Sequence, residues 1–459
     1  MKIEHVVVLM LENRSFDHLF GYLDHPNSNF PKLDTTESNC NQSGVETYVT
    51  DTANYTLVPG PGHHHADIIE QLYADLDPTN SEPNNSGFVK NYSKQKKNDI
   101  VAKGADIMRC LSPDKIPTLT TLAKEYCICT SWFSSVPGAT WPNRQFVHAA
   151  TSDRKVDNKI QFYSDPTIFE LLSQSGKSWS IFHDGIAQSF AFKNLWDVPI
   201  LKKKRQFRSM KDFYKMARSG KLPNYSFIEP NHMGSDSNSL HPGFIGDDAY
   251  SFISGEHLVA DIYTALSANF ERWEKTLFII TFDEHGGFYD RVRPPKTSPP
   301  TSENLEVGFK FDRLGVRVPS ILISPWIDKG IIDDTQYDHT SIIKTLRTLF
   351  APESSPLTNR DKEANHVLSK LSRKSPRRDT VVMPSLPFLQ KSTDIEDTTP
   401  ELDEFQISLI KLGELMRSNK MEKNDGFSPT IKPFEVGNIV HSLKDLDAYQ
   451  EKFIKDFRQ

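Results

Sequence analysis

Two adjacent carboxylates stand just after a short apolar run in the second half of the chain, a combination that could bind a metal ion and use it in catalysis. The run covers residues 277–281, and Asp283, Glu284 and His285 follow it with two glycines behind them. The run predicts a buried strand, and open α/β sheets place ligands beyond the carboxyl ends of their strands. Adjacent carboxylates repel each other unless a cation or a proton lies between them. The glycines permit a sharp turn. The pattern therefore indicates a metal site that carries out chemistry.

A second apolar run, near the N-terminus, ends in residues of the same kind. Residues 6–11 predict the first strand, and Glu12 and Asn13 come directly after it. Carboxylate and amide oxygens suit a hard divalent cation, and Zn²⁺ also accepts carboxylates, so the ligand types leave the metal open. Taken alone, Glu12 and Asn13 could equally cap a helix. Together with Asp283 and Glu284 they place four such residues at two strand ends, which favours a metal site.

Thr140 is the candidate nucleophile. It stands where residues 140–144 are expected to begin a helix, with Pro142 in the first turn. A hydroxyl at a helix N-terminus beside a divalent cation can be held as an alkoxide, and the free N–H groups there favour a phosphate. Asn143 would lie on the same turn and could donate to a phosphoryl oxygen. The alternative, and the commoner role for such residues alone, is that Thr140 caps the helix and Asn143 belongs to a capping box.

Three histidines in predicted loops are the remaining candidates for catalysis. His63, His241 and His339 each lie beside turn-forming residues. Phosphoryl transfer requires cationic groups near the equatorial oxygens and an acid for the leaving alkoxide. A single loop histidine is more often a surface residue, so their assignment depends on the other candidates.

Strands that alternate with helices predict an α/β protein with a mainly parallel or mixed sheet, covered on both faces. Further strands are expected at 179–182, 225–228 and 318–323, and further helices after residue 65, with Leu76 on its apolar face, and at 117–126, 166–172, 258–266 and 342–349. We assign residues 1–373 to a catalytic domain, residues 374–400 to a polar, linker-like segment, and residues 401–459 to a small C-terminal helical appendage.

The composition suits a globular protein, with 459 residues, 37% hydrophobic and 25% charged, and a formal net charge of −6. No basic block or ladder of aromatic and basic residues is found, which argues against a nucleic-acid partner. The basic run at 202–205 is typical of a solvated loop, with contact to an anionic membrane as the alternative. No apolar run approaches the roughly 20 residues of a membrane span.

The N-terminus lacks the charged segment, apolar stretch and cleavage site of a Sec signal. We therefore expect a cytoplasmic chain, one exported by a non-Sec route as a secreted effector, or the mature form of a secreted enzyme. Four cysteines show no Cys-x-x-Cys spacing, and the sequence leaves open whether they are free or partly paired: Cys40, Cys110, Cys127 and Cys129. The oligomeric state also stays open.

Three motifs resemble those of the bacterial and plant phosphoesterase family that contains the non-specific phospholipases C and an acid phosphatase branch. They cover residues 12–18, 140–144 and 283–290. Weaker matches lie at 62–63, 228–230, 241–242, 315–319 and 338–341. Their order and spacing run from residue 3 to about 365, and the C-terminal helices resemble those of the plant-type phospholipases C.

This resemblance implies an alkaline-phosphatase-like α/β/α fold and a divalent metal ion, with zinc favoured. The ligands that it implies are Glu12, Asn13, Thr140, Asp283 and Glu284. Thr140 would be the nucleophile, and threonine rather than serine at this position favours the lipase side of the family. Members often have histidine where this chain has Arg291 and aspartate where it has Leu240. These two departures concern the surroundings of the site and the substrate preference.

The function that these residues favour is a metal-dependent phospholipase C acting on glycerophospholipids in transient contact with a membrane surface. Thr140 would attack phosphorus and form a phosphothreonine intermediate, while His241 or His339 protonates the leaving diacylglycerol oxygen. Water would then release the phosphorylated head group, with the metal, Asn143 and His63 stabilising the phosphoryl oxygens. One alternative is an acid phosphatase-like phosphomonoesterase that acts on soluble esters. An alternative of another class is a catalytically inactive lipid-binding module.

Overall fold

The computed structural model describes residues 3–97, 99–195, 206–242, 248–301, 308–387, 402–425, 440 and 442–458. The basic run at 202–205 and the part of the predicted linker from residue 388 onward lie outside the described residues.

Twelve strands and thirteen helices are found in the described part of the chain. The strands are β1 His5–Leu11, β2 Ser38–Cys40, β3 Glu46–Tyr48, β4 Lys96–Lys97, β5 Ile100–Val101, β6 Cys127–Cys129, β7 Trp179–Phe182, β8 Phe207–Arg208, β9 Tyr225–Ile228, β10 Thr276–Phe282, β11 Ser320–Ile323 and β12 Ile331–Asp333. The helices are α1 Phe16–Phe20, α2 His65–Tyr73, α3 Phe88–Tyr92, α4 Pro117–Glu125, α5 Thr140–Ala149, α6 Ile168–Gln174, α7 Met210–Ser219, α8 Asp248–Ser267, α9 Phe270–Trp273, α10 Thr340–Phe350, α11 Asn359–Glu363, α12 Glu404–Asp425 and α13 Leu443–Arg458.

Eight of these strands form one mixed sheet, in the spatial order β12-β6-β11-β10-β1-β9-β7-β8. β1 is parallel to both of its neighbours, β9 and β10, whereas β11 is antiparallel to β10 and to β6. All seven residues of β10 and six of the seven in β1 are buried, as expected for central strands covered on both faces. The expected mixed α/β sheet with flanking helices is therefore confirmed.

In the main sheet, the strands of four or more residues agree with the sequence predictions better than the strands of two or three. β7 and β9 match the strands predicted at 179–182 and 225–228, and α4 ends one residue before the predicted limit. β6, β8 and β12 were not predicted, because two or three residues are too few to show a hydrophobic period. Leu76 was expected on the apolar face of α2 and this was wrong. The helix ends where Ala74 takes a φ of 51°, so Leu76 lies beyond it and is exposed.

The C-terminal helices pack into the main hydrophobic core. Phe405 and Leu409 of α12 and Phe453 and Phe457 of α13 belong to the same buried cluster as the central strands. The Trp141 indole on α5 donates to the Ser408 hydroxyl of α12 at 2.5 Å. The expected helical C-terminal region is present, whereas the division of the chain into domains stays a prediction.

The structure answers the question of cysteine pairing and agrees with the sequence on membrane spans. All four cysteines are free thiols. Among the described residues, none of the helices combines the length and the apolar character that crossing a bilayer requires.

A buried ion network connects three of the sequence motifs. Arg317 donates from Nη2 to Asp17 Oδ1 at 2.8 Å and from Nε to Asp290 Oδ1 at 3.1 Å. Its guanidinium lies over the Phe16 ring, 4.2 Å from the centroid. All three charged side chains are buried. Asp290 depends on this guanidinium for its compensation, whereas Asp17 also has the Arg291 side chain, whose Nε lies 3.5 Å from Asp17 Oδ2.

We predict that Arg317→Ala lowers the free energy of unfolding by about 3–5 kcal/mol, because Asp290 is left buried without its cation and Asp17 keeps only Arg291, at 3.5 Å. Urea unfolding followed by circular dichroism measures the change. The matched control is Arg109→Ala, whose ion pair with Asp106 is 47% and 23% exposed and should contribute less than about 1 kcal/mol. Equal losses in the two variants would contradict the prediction.

Candidate active site

The parallel pairing of β1 with β10 brings the two predicted strand ends together. Leu11 lies opposite Phe282 in the register, so the polar residues after each strand leave the sheet side by side. The Asn13 backbone N–H donates to Asp283 Oδ1 at 3.2 Å. Four of the predicted site residues therefore meet at the carboxyl edge of the sheet.

The glycines after the carboxylates are required by a close backbone approach. Gly286 has a φ of +65°, and a Cβ on it would lie 2.4 Å from the carbonyl oxygen of Asn13. Gly287 has a φ of +77°, and its Cβ would lie 2.5 Å from the Gly62 carbonyl. Any side chain at either position would push these segments apart, as the sequence pattern indicated.

Three carboxylates are buried at this edge. Glu12, Asp283 and Glu284 are each at most 1% exposed. Burial raises the pKa of Asp283 to about 7, against the effect of Arg144, and the charges of Glu12 and Glu284 add to the rise. Asp283 therefore has too little positive charge around it to offset its burial.

Histidines compensate the other two carboxylates. Burial alone would raise the pKa of Glu284, but His63, whose Nδ1 lies 2.7 Å from Glu284 Oε1, holds it at about 2. The same contact outweighs burial at His63 and raises its pKa to about 9. His232 Nδ1 lies 2.9 Å from Glu12 Oε2 and likewise holds the pKa of Glu12 at about 2 against burial. His63 is thus an imidazolium at neutral pH.

Thr140 is the first residue of α5, and the N-cap position belongs to Ala139. The Thr140 side chain is buried, and its Oγ1 lies 3.4 Å from Asn13 Oδ1. The candidate nucleophile therefore lies beside the strand-end residues. Its role in catalysis stays a prediction.

Asn143 points into the loop that precedes α5. Its Oδ1 accepts from the Val136 N–H at 3.1 Å, and its Nδ2 donates to the carbonyls of Gly138 and Ala139 at 2.9 and 3.1 Å. These contacts fix the approach of the chain to Thr140. The predicted donation to a phosphoryl oxygen would require the Asn143 amide to exchange one of these partners.

His241 and His339 differ in their surroundings. His241 lines a pocket and its Nε2 lies 3.4 Å from Asp403 Oδ2, while burial lowers its pKa against the effect of Asp403. His339 donates from Nε2 to the Asp283 carbonyl at 2.7 Å and accepts from the Trp132 indole at 3.4 Å. Burial lowers the pKa of His339 to about 4. The geometry favours His241 as the group that can reach a substrate.

The pocket has a volume of about 320 Å³ and opens beside the strand ends. Asn13, His63 and Gly286 contribute to its wall together with His241. Leu402, Asp403 and Glu404, from the C-terminal region, form another side. A small polar group could enter this pocket and reach Asn13, which contacts Thr140.

Several residues of the site were missed by the sequence reasoning. Arg144 donates from Nε to Asp283 Oδ2 at 2.9 Å and from Nη2 to the Met10 carbonyl at 3.1 Å. His232 lies between Glu12 and Glu229, with its Nε2 3.7 Å from Glu229 Oε2. Glu229 follows β9 directly, so the strand-end rule that identified the other carboxylates could also have identified it.

The residues fit a divalent cation. Glu12 Oε1 is buried and has no hydrogen-bond partner among the described residues. The neighbouring carboxylate, amide and hydroxyl oxygens are ligands of the type that divalent cations accept. An uncompensated buried acceptor in a group of three carboxylates is the feature that a cation would satisfy.

A second cluster brings three possible metal ligands together, but its carboxylate already has partners in the protein. In the described ranges, Cys127, Cys129 and Asp333 offer three ligand atoms within 4.8 Å of one another. Asp333 is already bound by the Lys370 ammonium at 2.7 Å and by the Tyr337 hydroxyl at 2.9 Å. Burial raises the pKa of the Cys129 thiol, which disfavours the thiolate that metals require.

The fold and the site define an α/β protein with buried carboxylates and a hydroxyl at the carboxyl edge of its sheet. The profile of the phosphoesterase family matches residues 3–351. The chain belongs to the phosphoesterase family.

Similarity to named phospholipases C extends over most of the chain. Non-specific phospholipase C3 of Arabidopsis thaliana is 33% identical, over 97% of this chain and 86% of the plant protein. Non-hemolytic phospholipase C of Burkholderia pseudomallei is 27% identical, over 76% of this chain and 55% of the bacterial protein. A solved structure of a protein in the alkaline phosphatase superfamily from Vibrio parahaemolyticus is similar at a TM-score of 0.35 and 14% identity, covering 68% of this chain and 83% of that one.

We predict that Arg144→Met lowers the free energy of unfolding by about 3–5 kcal/mol in the presence of a chelator, because Asp283 loses its cationic partner. The loss should be smaller with excess Zn²⁺, since a bound cation would neutralise the same carboxylates. Urea unfolding in the two buffers measures both values.

The matched control for Arg144→Met is Arg347→Met, which breaks the Arg347–Asp361 pair, with side chains 11% and 0% exposed, outside the candidate site. Its loss should be the same in both buffers. If the Arg144→Met loss is also unaffected by the cation, the metal does not bind at these carboxylates.

Proposed function

We propose that this protein is a phospholipase C that hydrolyses glycerophospholipids to diacylglycerol and a phosphorylated head group. The observation that carries the proposal is the position of Thr140 beside Asn13, where two strand ends place buried carboxylates next to a pocket. The named phospholipases C among its relatives, one of them matched over 97% of this chain, support the substrate class.

Members of the phosphoesterase family generally use divalent metals, and we propose that one cation is held here. Its ligands would be Glu12, Asn13, Thr140, Asp283 and Glu284, with zinc as the favoured metal. When bound, the cation would supply positive charge that stabilises an ionised Thr140 hydroxyl and the phosphoryl oxygens.

The side chains of this protein would then divide the reaction as follows. Thr140 Oγ1 forms a bond to phosphorus while the bond from phosphorus to the diacylglycerol oxygen breaks, and His241 gives that oxygen a proton. Water next attacks the phosphothreonine and gives a proton to His241, while the bond from phosphorus to Thr140 Oγ1 breaks. This step releases the phosphorylated head group and restores the ionised Thr140 hydroxyl. The His63 imidazolium faces the pocket and would stabilise negative charge on the phosphoryl group. Asn143 is assigned to the same task, provided that its amide turns from the loop to the substrate.

We predict that Thr140→Ala lowers kcat by about a thousandfold or more, since no hydroxyl remains to form the covalent intermediate. Phosphocholine release from micellar phosphatidylcholine measures the rate. The fold and the metal content should be retained, because four of the five proposed ligands are unchanged. Thr140→Ser is the control and should keep activity within about tenfold of the natural enzyme. Natural activity in Thr140→Ala would rule out this nucleophile.

A comparison of two substrates separates the phospholipase C from the phosphomonoesterase. We expect micellar phosphatidylcholine to be hydrolysed at a higher kcat/KM than p-nitrophenyl phosphate. Dialysis against a chelator should abolish this activity, and divalent cation should restore it. Hydrolysis of p-nitrophenyl phosphate alone would indicate the phosphomonoesterase, and hydrolysis of neither substrate would indicate the lipid-binding module. Full activity in metal-free protein would exclude the cation.

A further inference from the structure

A lysine-rich hairpin stands at the mouth of the pocket. We define the lysine hairpin as residues 94–97 and 99–103, which contain β4 and β5, four lysines and a single aspartate. Ile100 and Val101 in β5 are 51% and 55% exposed. Large apolar side chains that stand next to each other in solvent, among cationic residues, are typical of surfaces that contact lipid head groups and the adjoining acyl chains.

The position of the lysine hairpin ties it to the site. Gln95 and Lys97 line the same pocket as His63. Lys97 is the cross-strand partner of Ile100, so the exposed apolar pair continues outward from the pocket wall. Val58 also lines the pocket and is 46% exposed. Three exposed large apolar side chains therefore lie at or next to one opening.

The lysines of the hairpin indicate that an anionic lipid surface would bind at the mouth of the pocket. Lys96 and Lys103 are exposed, whereas the ammonium of the exposed Lys94 is paired with the Glu70 carboxylate. Lysines can keep their ammonium groups at the level of lipid phosphates while their stems cover apolar surface. Anionic lipids attract such clusters. A single exposed valine or leucine elsewhere on the surface carries no such meaning, since isolated apolar residues are normal in folded proteins.

We propose that the lysine hairpin and Val58 dock on an anionic lipid bilayer and hold the mouth of the pocket against it. The inference rests on the proposed phospholipase C function, because such an enzyme must draw a lipid head group out of a bilayer into its pocket. Ile100 and Val101 enter the interfacial region, and the lysines contact the phosphates beside it.

Co-sedimentation with lipid vesicles tests docking without requiring catalysis. Wild type and variants are mixed with vesicles of phosphatidylcholine alone or with added phosphatidylserine. Ile100→Asp/Val101→Asp should weaken binding to both kinds of vesicle by roughly tenfold or more. Lys96→Gln/Lys103→Gln should weaken binding by roughly tenfold, only where phosphatidylserine is present and less at high salt.

Matched controls separate docking from a general surface effect. Val382→Asp changes a large apolar side chain that is 86% exposed and outside the pocket lining. Lys211→Gln/Lys215→Gln removes two exposed lysines of α7. Both controls should bind vesicles like the natural protein. Equal binding by the hairpin variants and the controls would overturn the proposal.

A second readout compares lipid in vesicles with a monomeric short-chain phosphatidylcholine in the same variants. Hydrolysis of vesicle lipid should fall in the hairpin variants, whereas hydrolysis of the monomeric lipid should keep its natural rate. Equal losses on both substrates would overturn docking as the role of the hairpin. If the natural protein hydrolyses neither lipid, the proposed function fails, and the co-sedimentation result still decides whether the hairpin docks.

Discussion

The parallel pairing of β1 with β10 is the constraint on which the rest of the structure depends. Backbone hydrogen bonds between two fully covered strands fix their register, and a shift of one residue would exchange the two faces of either strand. The observed register sets Leu11 opposite Phe282. It therefore determines that two pairs of polar residues leave the sheet at the same level. The sheet, rather than any side-chain contact, therefore brings these polar residues together.

The register also creates an electrostatic problem, which the surrounding elements solve in different ways. Arg144 comes from α5 and is held by carbonyls of β1, so the helix that begins with Thr140 is fixed to the strand end by the same residue that neutralises Asp283. His63 and His232 come from loops and neutralise Glu284 and Glu12. The same helix, α5, therefore both places Thr140 and supplies the cation beside Asp283. Glu12 Oε1 has no hydrogen-bond partner among the described residues, and a divalent cation could bind this oxygen.

Sequence reasoning was successful where a structural feature follows from a local pattern. The strand ends at Asn13 and Asp283 and the glycine at 286 were found because an apolar run, its polar terminus and its turn are contiguous in the chain. Arg144 and His232 were missed because their roles depend on which elements approach the strand ends, and that approach is set by tertiary packing. The short strands failed for a related reason, since β6 and β12 exist only through pairing with neighbours distant in sequence. Family resemblance supplied what the pattern could not, namely the expected lipid substrate.

The C-terminal region shows how far tertiary packing extends into the site. Asp403 contacts His241, and the Glu404 carboxylate lies 3.2 Å from His64 Nε2. Trp141, the residue after Thr140, is bound to Ser408 of α12. The pocket therefore has this wall only when α12 is docked, and the anchor of α12 is adjacent in sequence to the proposed nucleophile. The sequence predicted a small helical appendage after a polar, linker-like segment, and the described helices of this region belong to the same buried cluster as the central strands. Because composition reports where a chain is solvated and packing reports what it touches, the sequence indicates helices in the C-terminal region but not what they contribute to the site.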